Sequence, residues 1–194
     1  MRGDNLNRIG VKLFAVEPPA AGIRAFVPVF HTWIQKQSID EHLLIDVHDY
    51  SHIHHGPGIL LVAHEGNFSI DMADGRMGLV YYRKQSSDDS VKDRLASVLK
   101  SALQASALLE DEAVFESKLR FRTDELLFFA NDRLLAPNDS GTFSKLQPDL
   151  TAIFQRLLGD ASFSSASYNP KDRFTVRIHG NQRRGIKDLL PLLG

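Results

Sequence analysis

Between residues 58 and 84 three strand-length segments follow one another, joined by connections with room only for hairpins. Residues 58–65 are apolar on both faces, with Ile59, Leu61 and Ala63 alternating against Leu60 and Val62, as in a central strand. Residues 67–72 alternate instead, Phe68, Ile70 and Met72 pointing one way and Asn67, Ser69 and Asp71 the other. Asp74-Gly75 supplies the turn, because glycine accepts positive φ at no steric cost. Residues 77–84 return as the partner strand. A strand at 42–47, with Leu43, Ile45 and Val47 on one face, precedes them. These four are expected to neighbour one another in one sheet.

The remaining pattern supplies more strands and the helices. Residues 10–17 read as a first strand, closed by Pro18-Pro19, which cannot continue a ladder. Phe26, Phe30, Trp33 and Ile34 then fall at helical spacing, and Pro28 requires the regular helix to begin near residue 26. Ser90 and Asp93 form a capping box ahead of the clearest apolar stripe of the chain, running to about residue 112. One or two strands are expected within 119–135 and a helix over 140–158 ended by Gly159. Residues 161–168 and 173–179 read as a hairpin, and a short last helix as 186–193. The order is that of an α+β protein: a mixed, largely antiparallel sheet with two to three helices packed on it. No Gly-, Ser- or Pro-rich linker interrupts the 194 residues, so a single domain spanning 1–194 is expected.

Composition removes several functional classes. With no cysteine there is no disulfide scaffold, iron–sulfur cluster or thiol nucleophile. A net charge of −1 gives no overall basic excess with which to bind a polyphosphate backbone. The basic cluster Lys171, Arg173, Arg177, Arg183, Arg184 and Lys187 is diluted by Asp172 and Asp188 and reads as a solvated face. Residues 1–8 lack the apolar core of a signal peptide, and no apolar run approaches the ~20 residues of a membrane-spanning helix. The expectation is a cytoplasmic protein with neither nucleic acid nor membrane as partner.

Five of the eight histidines lie between positions 48 and 64, interspersed with Asp46, Asp49 and Glu65. Imidazole and carboxylate form the ligand set of catalytic zinc, iron and manganese sites. In extended form His52 and His54 share one side and could chelate an ion, with Asp46, His64 or Glu65 completing the set. The order His52-Ile53-His54-His55 after a strand is similar to the signature of the metallo-β-lactamase fold. It departs from that signature at Gly56 and Pro57, which stand where Asp and His are required. The cupin signature fails differently, since Glu65 lies eleven residues past His54. His64 shares strand parity with Leu60 and Val62, which predicts a part-buried imidazole; Asp46 and His48 are spaced to pair, with the Tyr50 hydroxyl nearby.

No nucleophile elbow and no glycine-rich phosphate loop occurs. The reading is a non-catalytic small-molecule-binding or assembly protein with its site near the loop 48–57, Asp46, His48, Tyr50 and His64 being the candidate ligand-binding residues. The alternative is a divalent-metal-dependent hydrolase or oxygenase using His48, His52, His54 and a carboxylate, with His52, His54 and Glu65 the candidate metal ligands. A homodimer is also expected, because exposure of Phe26, Phe30, Trp33, Phe128 or Phe129 would leave an apolar patch that needs covering.

Overall fold

The computed structural model describes residues 6–54, 56–116, 118–167 and 169–193. Among them the strands are β1 (Ile9–Ala15), β2 (Leu44–Tyr50), β3 (Gly58–Ala63), β4 (Gly66–Asp71), β5 (Gly78–Arg83), β6 (Phe121–Ala130), β7 (Ser162–Ser165) and β8 (Phe174–His179). The helices are α1 (Phe26–Lys36), α2 (Val91–Asp111), α3 (Ser140–Leu158) and the four-residue α4 (Ile186–Leu189). The strands join one sheet in the order β2-β3-β4-β5-β1-β6-β8-β7. Every pairing is antiparallel, so the α+β class stands while the sheet is not mixed and carries four helices rather than two to three. The meander β2 to β5 forms as the short connections require. β1 then enters between β5 and β6 and ties the two halves of the chain together.

Local chemistry accounts for the helix ends. The Ser90 hydroxyl accepts from the Asp93 amide at the start of α2, and Asp139 accepts from the Thr142 amide at the start of α3. Pro28 lies in the first turn of α1, where no intrahelical partner is lost. Gly159 ends α3 at a φ of 75°.

One hydrophobic cluster joins the helices to a single face of the sheet. It takes Ile9, Val11 and Leu13 from β1, Phe68 and Ile70 from β4, Leu79 and Tyr81 from β5, and Val176 and Ile178 from β8. α2 lies across β1 and β5, and α1 lies against β2. Trp33 is anchored there by its indole N–H, which donates to Glu112 at 2.7 Å. Phe26, Phe30, Trp33, Phe128 and Phe129 are all buried, so the aromatic patch that would have required a partner does not exist. Among the described residues no helix is long and apolar enough to cross a membrane.

β2 departs from simple alternation. A register shift between Leu44 and Asp46 makes a bulge at Ile45. Leu44 turns into the core, while Leu43 and Ile45, expected to share the inward face with Val47, are more than half exposed. The strand also continues to Tyr50, so the loop begins only at Ser51.

Candidate functional site

The register assigns each strand's other residues to the sheet face that carries no helix. Asp46, His48 and Tyr50 of β2 stand there beside Val62, Leu60 and Gly58 of β3. Next come Asn67, Ser69 and Asp71, then Tyr82 and Val80, then Gly10, Lys12 and Phe14. Leu127 and Phe129 of β6 and Arg177 of β8 complete the row. Phe14, Leu127 and Phe129 are at most 3% exposed yet lie outside the main core cluster.

Side chains of neighbouring segments bury them. The Arg76 guanidinium sits 3.8 Å over the Phe14 ring, and that of Arg173 sits 3.7 Å over Phe129. Phe129 also stacks with Tyr82 at 6.3 Å between centroids, across Gly10. A methyl group at Gly10 would collide with the Phe129 ring, so the stack requires glycine. Guanidiniums placed over the aromatic faces in this way replace a helical cover.

Arg76 also converges with Arg177 and Arg122 on Glu125, which is 4% exposed. Arg76 grips it bidentately at 2.7 and 3.0 Å, Arg177 donates at 2.6 Å, and Arg122 approaches to 3.1 Å. These bonds, that of Arg76 foremost, hold the Glu125 carboxyl down at about 2 against the opposing effect of burial. The adjacent Asp124 is also held at about 2, first by Arg122 and then by Arg183. A long register jump in β6 produces this convergence: Leu13 pairs with Leu126, yet Ala15 already pairs with Phe121. The intervening residues 122–125 bulge, and their charges gather where regular alternation would separate them. Lys12, 2% exposed, completes the network through Asp71 and the carbonyls of Ala73 and Arg76.

The sequence-expected residues separate into two groups. Asp46, His48 and Tyr50 share the open face at one sheet edge, with Asp46 3.5 Å from the His48 Nε2 and the His48 and Tyr50 rings 5.9 Å apart. His64 is exposed rather than part-buried, because β3 ends at Ala63 and the residue lies in the following turn beside Gln85. Glu65 accepts from the Leu43 amide at that same end. His52 and His54 are exposed at the opposite end of β3, a strand length of about 20 Å away by ordinary strand rise. Among the described residues no three His, Asp or Glu side chains are grouped to hold a metal ion. His55 lies outside the described residues.

Two features carry no signal in the sequence pattern. The first is the Glu125 network, drawn from three distant strands or loops. The second is His42: its Nδ1 faces the Asp40 carbonyl at 2.9 Å and so carries the proton, which leaves Nε2 to accept from the Tyr81 hydroxyl at 2.8 Å. Burial pushes the Tyr81 phenol up to about 12. No protein-family model matches this sequence, and no curated protein is similar to it.

Proposed function

We propose that this is a non-catalytic binding and assembly protein whose working surface is the β2 edge, and that the partner is a second copy of the chain. The observation that carries the reading is the edge itself. β2 is seven residues long and, among the described residues, pairs with no strand but β3. Side chains meet the backbone on its other side, Gln37 at both groups of Leu44 and Asp46 at the Val47 amide, and an incoming strand would exchange these contacts for main-chain bonds. Leu43, Ile45 and, in the adjoining loop, Ile53 lie beside it, 57, 53 and 47% exposed. Strand addition at such an edge draws on main-chain hydrogen bonds for affinity and on flanking side chains for specificity.

Self-pairing also suits the side chains. In an antiparallel β2–β2 pair centred on Val47, Asp46 of each copy stands opposite His48 of the other, both on the open face. A carboxylate that can accept a hydrogen bond from the imidazole across from it favours such a register. This keeps the function near the residues that the sequence pointed to, Asp46, His48 and Tyr50, and routes it through assembly rather than hydrolysis.

Light scattering of the purified protein tests the proposal. A mass of twice 21.7 kDa at micromolar concentration is expected, falling to that of one chain in the double variant Leu43→Lys, Ile45→Lys. Both positions are exposed, so the variant should lose no more than about 0.5 kcal/mol of stability. A wild-type chain that stays monomeric up to high micromolar concentration overturns the reading.

A further inference from the structure

Away from the β2 edge, the β6 bulge opens a cavity of about 280 Å³ walled by Val16, Phe121 and the arginines 122, 183 and 184. Asp124 is the one carboxylate in its lining, leaving an excess of two positive charges in a chain whose net charge is −1. From this geometry we propose that the cavity binds a small organic dianion, a phosphate monoester or a dicarboxylate, with its apolar part against Val16 and Phe121.

Asp124 does not neutralise the site; it orients it. One of its oxygens takes the Arg122 Nε at 2.9 Å, and the other takes an Arg122 terminal nitrogen at 3.0 Å and the Arg183 Nε at 2.7 Å. With both oxygens committed, the carboxylate sets the plane of the Arg122 guanidinium through two bonds and tethers that of Arg183 through one. Arg183 thereby keeps its two terminal nitrogens without a protein partner among the described residues, and Arg184 uses only one, on Gln182 at 2.7 Å.

The backbone under them is fixed as well. The Thr123 hydroxyl donates to the Arg184 carbonyl at 2.7 Å and accepts from the Arg184 amide at 3.3 Å. Behind the lining, Glu125 is shared by Arg76, Arg177 and Arg122, so the positive excess extends beyond the cavity wall. Forked donors held in place before a ligand arrives lose little freedom on binding, which favours bidentate recognition of phosphate or carboxylate. The basic segment around residues 183–184 is then a binding wall rather than a solvated face.

The probes are inorganic phosphate, succinate and, at matched ionic strength, chloride, followed by amide chemical shifts of the full chain. Saturable shifts at residues 16, 121–124 and 183–184 with phosphate or succinate, absent with chloride, are expected. The anion that saturates at the lower concentration names the class. Arg183→Ala with Arg184→Ala should weaken binding about tenfold or more. Val16→Asp, at an exposed position outside the core, should weaken it by repulsion while the amide spectrum stays that of the folded protein. Shifts no larger than those from chloride, or equal shifts in wild type and both variants, overturn the proposal.

Discussion

Along β1, successive residues are buried by different means. Ile9, Val11 and Leu13 lie under α2 in a continuous hydrocarbon cluster. Lys12 and Phe14 alternate with them on the other face and are as little exposed, but an ion-pair network and arginine guanidiniums cover them. The helix-covered face draws its stability from area removed from water, a non-directional effect. The open face draws on charge-assisted hydrogen bonds of fixed direction, set on aromatic rings. Directional contacts hold geometry without a second layer, and they leave that face within reach of solvent and partners.

The two faces should therefore respond unequally to truncation. Phe68 belongs to the helix face, is fully buried, and packs against Tyr81 at 4.6 Å and His42 at 5.1 Å between ring centroids. Phe68→Ala should lower unfolding free energy by about 3–5 kcal/mol in urea titrations, since the cavity cannot collapse under a pinned sheet. A loss near 1 kcal/mol would mean that the hydrocarbon face is loosely packed, and the contrast would fail from that side.

Glu125→Gln tests the other face. The variant keeps the shape but removes the charge that three guanidiniums share, and those arginines are about one-third exposed, so water can replace part of what is lost. A cost of about 1–3 kcal/mol is expected, below that of Phe68→Ala. The pH profile carries the same information. Glu125 and Asp124 titrate near 2 when folded, against ordinary values of about 4.3 and 3.9 in the unfolded chain. Their contribution is thus present above about pH 5 and is lost as pH falls toward 2, because the unfolded state takes up protons first. Urea midpoints should fall across that window in wild type and fall less in Glu125→Gln. Parallel profiles for the two proteins would remove Glu125 from the account.

The contrast between faces also marks what was legible in the sequence. Alternation in Phe68, Ile70, Leu79 and Tyr81 marks the helix face, because hydrocarbon burial depends only on which residues share parity. The hairpins, the Ser90 cap and the Gly159 stop are local in sequence and could be read there. The bulges could not. At Ile45 an extra residue reverses the inward set, and at 122–125 it gathers charges that regular parity would divide. His64 fails for a related reason: parity groups it with Leu60 and Val62, which face the side without helices, and β3 ends one residue before it. Arg173 and Arg177 alternate with Phe174, Val176 and Ile178 in sequence, yet their partners Phe129 and Glu125 lie 44 and 52 residues away. Pairing at such separation follows from sheet order, which composition and periodicity do not supply.

The smallest effect belongs to a single cation on a single ring. Arg173 is exposed, and its guanidinium lies 3.7 Å over Phe129, so Arg173→Gln should cost only about 0.5–1 kcal/mol. The side chain has other interactions, which the single variant also removes. A cycle with Phe129→Leu isolates the ring contact: the double variant should be about 0.5–1 kcal/mol less destabilised than the sum of the singles. Coupling of that size shows the guanidinium acting as a cover for the ring. Coupling indistinguishable from zero would mean that Phe129 is held by Tyr82 and Gly10 alone, and that the open face keeps its aromatic row buried without help from charge.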